Sequence, residues 1–166
     1  MKPLPVDPAV KVAAHVDALF GASVSNELDL AKTSFEFSRK TGRIKNFSVD
    51  NKLAGTLRTD GGIAITLFGA GMFLRSNVFR ANCVVASQDA VPFVSEGRSL
   101  FCKHVIWCGS NIRVGSDVAV LDPQDNIIAV GVAIFSVKTM MAHEKGVGVR
   151  IREGIKGRTE QTRSSI

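Results

Sequence analysis

Two neighbouring stretches decide what kind of fold this chain adopts: Ile112-Arg-Val-Gly-Ser-Asp-Val-Ala-Val-Leu-Asp122 and Ile127-Ile-Ala-Val-Gly-Val-Ala-Ile-Phe135. The second is apolar without interruption and too short for a membrane span. That is the pattern of a strand buried on both faces. Asp122-Pro-Gln-Asp-Asn126 carries turn chemistry and folds it back on Val118–Leu121.

Downstream, Ser136 is placed to cap a short helix carrying Met140 and Met141, and Gly146 to end it. Val147, Val149 and Ile151 then alternate with Gly148, Arg150 and Arg152. A period of two predicts a strand with both arginines on one outward face, about 7 Å apart. Just upstream, Leu100-Phe101 reads as a short strand, Lys103 to Trp107 as a helix-like stretch and Gly109-Ser-Asn111 as a loop.

Toward the N-terminus, Asp7-Pro8 marks a helix start, Val12, Val16, Leu19 and Phe20 form one apolar stripe, and Gly21 suits a left-handed cap. Strand periodicity begins near Phe35 and Phe37. Arg43 to Val49 and Leu53 to Leu57 flank the Asp50-Asn-Lys52 turn, and Ile63 to Leu67 follows Asp60-Gly-Gly62. Gly69 to Leu74 reads as a helical turn and Phe79 to Val85 as a further strand. Pro92 separates two complete sets of elements. The expected organisation is an α+β unit over residues 1–91, a mainly β unit over 92–155, and a basic tail without periodicity over 156–166.

The chain has 166 residues, 45% hydrophobic and 22% charged, which excludes disordered and fibrous classes. No apolar run approaches the roughly 20 residues of a membrane-spanning helix. The N-terminal segment has no apolar core of a signal peptide, and three cysteines without framework spacing suit a reducing compartment, so a cytoplasmic location is expected. The net charge of +6 is uneven: residues 1–40 are neutral, 41–91 carry six basic against three acidic groups, 92–153 seven against six, and 154–166 three against one. Such a distribution suits a polyanion partner or a solvated basic face.

Catalytic chemistry finds little to work with. Cys102-Lys-His104 and Cys108 place thiols near basic groups, but no third residue completes a nucleophilic arrangement. The same residues lack a paired C-x-x-C and a fourth zinc ligand. Gly69-Ala-Gly71 lacks the third glycine of a dinucleotide fingerprint and the chain has no P-loop lysine. No catalytic residue, metal or cofactor is therefore expected. With no tyrosine and one tryptophan, base stacking is expected to be minor beside backbone contact.

Several ordered blocks resemble a known family. Phe101-Cys-Lys-His-Val105, Ile112 to Asp122, Ile128-Ala-Val-Gly-Val-Ala133, Ser136 and Met140 resemble the PUA domain, an RNA-binding module named after pseudouridine synthases and archaeosine transglycosylases. Thr41-Gly-Arg-Ile-Lys-Asn46, Thr56-Leu-Arg58, Asp60-Gly61, Ile65-Thr-Leu67 and Gly69-Ala70 look like the accessory domain that precedes PUA in archaeal tRNA-guanine transglycosylases, and Leu19-Phe-Gly21 like the segment before it. The likeness runs over about residues 10–155. It implies an α+β N-terminal domain followed by a mainly β PUA barrel with small helices.

The resemblance also implies a function. Family members hold structured RNA, typically a tRNA acceptor stem, by the first helix of the module, the glycine loop after it and the outer face of late strands. Carried onto this sequence, these are Lys103 and His104, with Phe101 as a core anchor, then Arg113 and Gly115, then Arg150 and Arg152. The four cations would meet phosphates, His104 a phosphate or 2′-hydroxyl, and Gly115 would let backbone approach backbone. Val132 and Ser116 depart from the family pattern, as does Thr139, which replaces the acidic residue of a capping box after Ser136. The transglycosylase's catalytic barrel has no counterpart in these residues, so base exchange by this chain alone is not expected. The expectation is a non-catalytic RNA-binding protein docking tRNA or another structured RNA in tRNA modification. The alternative is an accessory subunit whose partner is a separately encoded tRNA-guanine transglycosylase or archaeosine synthase.

Overall fold

The computed structural model describes residues 6–157. Helix α1 (Pro8–Phe20) starts as its sequence dictates: the Asp7 carboxylate accepts the Ala9 N–H at 2.9 Å, and proline occupies a first-turn position where its missing N–H leaves nothing unbonded. Val12, Val16 and Phe20 are its buried stripe. Gly21 does not take the left-handed helical cap expected of it. Its φ of 128° and ψ of 157° send the chain away extended, with Val78 packed where a side chain would stand.

Strands β1 (Thr33–Phe37), β2 (Ile44–Val49), β3 (Lys52–Leu57) and β4 (Ile63–Ile65) form an antiparallel meander in sequence order. Asp50 and Asn51, at φ 50° and 63°, make a two-residue turn with Val49 opposite Lys52, the geometry that matches the twist of a hairpin. The Thr66 hydroxyl accepts the Gly69 N–H at 3.0 Å and starts α2 (Leu67–Phe73).

The second sheet contains β5 (Cys83–Ala86), β6 (Leu100–Phe101), β7 (Val105–Cys108), β8 (Asp117–Leu121), β9 (Ile127–Ala133) and β10 (Val147–Gly154), in the order β6-β10-β9-β8-β5-β7. Only β5 and β8 run parallel. The two outermost strands, β6 and β7, are joined by a single 3₁₀ turn, Cys102–His104. Three residues cannot span an open six-stranded sheet, whose edges would lie over 20 Å apart at a spacing of about 4.8 Å per strand. The sheet is therefore rolled into a nearly closed barrel, with α3 (Val91–Ser95) and α4 (Val137–Ala142) as its small helices.

Two local expectations are corrected, and the boundary drawn at 91/92 can be set beside the strand pairing. Residues 79–85 are not one strand: a 3₁₀ segment, Asn77–Asn82, precedes β5, because Phe79 packs between the Phe20 and Phe73 rings and the Asn82 side chain donates to the Phe20 and Phe79 carbonyls. Lys103 to Trp107 is helical only at its first two residues and continues as β7, since barrel closure needs a strand there. The division at 91/92 falls inside the α3 segment, whereas β5, assigned by sequence to the first unit, is bonded into the six-stranded sheet. Most of the proposed tail lies outside the described residues.

Alternate residues of β5, β8 and β9 feed two cores. Val84, Val118, Val120 and Ala129 fill the barrel, while Cys83, Val85, Ala119, Leu121 and Val130 join α1, α2 and the four-stranded sheet in the other cluster. This double burial is why β8 and β9 read as continuous apolar runs.

Candidate nucleic-acid interface

Strand pairing brings most of the sequence-predicted residues to one end of β10. The Gly115 N–H donates to the Ala133 carbonyl at 2.8 Å, and Ala133 lies opposite Val149, next to Arg150. The Cys102 N–H donates to the Gly146 carbonyl at 2.9 Å, which ties the turn carrying Lys103 to the start of the same strand. Val147 and Arg150 are three residues apart, about 10 Å along a strand. Lys103, Arg113 and Arg150 are all exposed, and none of them pairs with a carboxylate among the described residues.

His104 is half-buried. Its Nδ1 lies 3.2 Å from the Ser87 hydroxyl and its carbonyl accepts the Ser87 N–H at 2.7 Å, so Nε2 is the ring nitrogen left for an outside ligand. Gly115 has a φ of 85° and open space where a side chain would project. Its role is to turn the loop, in a conformation L residues avoid. The loop is pinned by the Ser116 hydroxyl, which accepts the Arg113 N–H at 2.9 Å.

Arg152 departs from expectation. A bulge between Ile151 and Glu153 breaks the period of two. Its guanidinium turns to the rest of the molecule, with Nη2 donating to the Ile65 carbonyl at 2.5 Å and Nη1 3.5 Å from the Asp117 carboxylate. Arg58, at the end of the β3–β4 hairpin, reaches the same carboxylate at 3.2 Å and also contacts Asp60 at 3.2 Å and the Gly115 carbonyl at 3.4 Å. Asp117 is only 5% exposed, and burial outweighs the two guanidiniums and pushes its carboxyl above the ordinary range. The network joins the four-stranded sheet to the barrel beneath a groove of about 370 Å³ lined by Arg58, Asp60, Asn82, Arg113, Gly115 and Asp117. Residue spacing does not reveal this network. The available signal was an acidic residue heading the buried Val118–Leu121 strand, which needs a partner wherever it is placed.

The thiols are poorly placed for nucleophilic work. Burial pushes Cys83 up to about 12 and Cys108 to about 11, and raises Cys102 as well. Among the described residues no three His, Cys, Asp or Glu side chains gather to hold a metal. Trp107 stands 39% exposed on β7 with the Arg80 guanidinium 4.8 Å from its ring centroid, and Arg80 is anchored in turn to Asp125 at 2.7 Å.

Residues 82–155, which hold all six strands of the rolled sheet, match the PUA domain. Over 90% of its length it is 29% identical to the tRNA-guanine(15) transglycosylase of Methanothermobacter thermautotrophicus, and over 82% it is 31% identical to that of Methanosphaera stadtmanae. It spans 23% and 21% of those relatives' lengths, in their C-terminal part. The fold recurs in a hypothetical protein of Pyrococcus horikoshii, at a TM-score of 0.72, 20% identity and coverage of 97% of this chain and 98% of that one. A PUA-domain structure from Aeropyrum pernix gives 0.63 at 18% identity, covering 96% and 90%. No helix among the described residues is long and apolar enough to cross a membrane.

Proposed function

We propose that this chain is a non-catalytic, cytoplasmic RNA-binding protein that docks tRNA, or another structured RNA, through its PUA domain in the service of tRNA modification. The observation that carries this reading is the PUA match over residues 82–155 within a longer likeness to the C-terminal part of archaeal tRNA-guanine(15) transglycosylases. Lys103, Arg113 and Arg150 contact phosphates, His104 donates through Nε2, and Gly115 shapes the loop between them. Arg152 serves this surface from beneath, by holding Asp117 and the hairpin end at Ile65. The raised thiol pKa values support a chain without a cysteine nucleophile.

A second reading is favoured by the likeness of the chain to the C-terminal part of tRNA-guanine(15) transglycosylases. Here it is the accessory half of a separately encoded tRNA-guanine transglycosylase or archaeosine synthase, and stimulates that partner's turnover. Fluorescence anisotropy with tRNA and with a generic RNA duplex, across a salt series, tests the first reading. Tighter binding of tRNA is expected, and each of Lys103→Gln, Arg113→Gln and Arg150→Gln should flatten the slope of log affinity against log salt by about 0.9. No binding at low salt, or equal affinity for the duplex, rejects the proposal.

A further inference from the structure

We infer that the groove between α1, the start of β2 and the end of the β3–β4 hairpin is a second phosphate-binding surface, one that takes the RNA backbone outside the PUA domain. The inference rests on the RNA-binding reading above and adds a place the family match at 82–155 does not reach.

The groove holds about 450 Å³ and is lined by Lys11, His15, Arg43, Lys45, Arg58 and hydroxyl-bearing residues such as Thr41. No carboxylate lines it. The groove at Arg113, in contrast, contains Asp60 and Asp117, and one beside Arg152 contains Glu96 and Glu153. Some of the charge is already compensated. Lys45 lies 3.6 Å from Glu36, and Arg58 is shared between Asp60 and Asp117. Lys11 and Arg43 are exposed and have no ion pair among the described residues.

The wall is built rather than incidental. His15 Nε2 donates to the Gly61 carbonyl at 2.6 Å and fixes α1 against the hairpin turn. Arg43 is positioned by a turn in which its N–H meets the Thr41 hydroxyl at 3.3 Å and its carbonyl accepts the Ser38 N–H at 2.8 Å. Lys11 and His15 stand one helical turn apart on one face, about 6 Å, while Arg43, just before β2, and Lys45 on it are two residues apart, about 7 Å in extended chain. These spacings are on the scale of successive phosphates along a nucleic-acid strand. A run of cations with an open top suits such a strand better than a single enclosed anion. It also gives a location to the excess positive charge of residues 41–91.

The test uses the full chain and tRNA. Lys11→Gln with Arg43→Gln removes the two uncompensated cations, and Lys11→Arg with Arg43→Lys keeps them; thermal unfolding checks that both variants fold. The Gln pair should lower tRNA affinity about 10-fold near physiological salt and reduce the salt slope by about 1.8, while the charge-keeping pair retains both. Wild-type binding of tRNA with no change in the Gln pair overturns this inference and leaves the proposed function standing. Saturable calorimetric binding of inorganic phosphate, with tRNA affinity unmoved by the Gln pair, overturns it in favour of a small-anion site. Failure of the wild-type chain to bind any RNA overturns both.

Discussion

Asp117 heads a strand otherwise built of Val118, Ala119, Val120 and Leu121, and it is tolerated there because Arg58 and Arg152 converge on it from two different sheets. Removing it takes away the one carboxylate the two guanidiniums share, leaving Arg58 with Asp60 and Arg152 with the Ile65 carbonyl. Asp117→Ala should therefore cost about 2 kcal/mol in denaturant unfolding at neutral pH, less than the full penalty for a deeply buried pair because both arginines keep some solvent. The pH dependence has a definite sign. A carboxyl raised above its ordinary 3.8 binds its proton more tightly in the folded state, so its contribution to stability falls as pH rises from 3.8 through the folded value and is level above it. The gap between wild type and the Ala variant should thus be widest in acid and narrow toward neutrality. Glu36, whose carboxyl lies below the ordinary range through the hydrogen bond from Asn46, acts in the opposite sense but cancels in that difference, whereas Asp60 shares Arg58 with Asp117 and does not cancel.

At the scale of elements, the junction of β9 and β10 is a place where two backbones approach too closely for a side chain. A side chain at Gly131 would strike the Arg150 carbonyl of the paired strand, so Gly131→Ala should destabilise by about 2–3 kcal/mol and lower RNA affinity by displacing Arg150. Gly115→Ala meets open space but must hold a φ of 85°, and should cost only about 1 kcal/mol. Thermal melts of the two variants separate collision from backbone strain. Elements governed by local chemistry were legible in the sequence: the Asp7-Pro8 start of α1, the Asp50-Asn51 turn, the paired strands around it and the apolar run of β9. Those governed by tertiary demand were not. Phe79, Ala81, Cys83 and Val85 alternate like a strand, yet the aromatic cluster and the Asn82 amide hold the first half as a 3₁₀ segment. Of the candidate interface, Lys103, Arg113 and Arg150 were legible as exposed cations. The use of Arg152 was not, because a bulge leaves no mark in residue periodicity.

For the whole molecule, the decisive fact is that one core cluster runs from Val12 on α1 to Val130 on β9. Cys83, Val85, Ala119 and Leu121 face that shared core, so residues 82–157 expressed alone would expose an apolar wall. Heat or denaturant should unfold the chain in one transition, and the isolated 82–157 segment should lose cooperativity and aggregate; calorimetry on both measures this. Two transitions in the full chain would show that the four-stranded sheet and the barrel are energetically separate. The Arg80–Trp107 contact offers the means to tell. Trp107 is the only tryptophan and the chain has no tyrosine, so nearly all near-ultraviolet emission comes from a single spot on the barrel, four residues from Lys103. Intrinsic fluorescence is thus a built-in, label-free reporter of the barrel alone, whereas far-ultraviolet dichroism sums over both sheets. Coincident curves by the two signals mean a single folding unit, and a change in emission on adding RNA reads occupancy beside the Cys102–His104 turn without any dye.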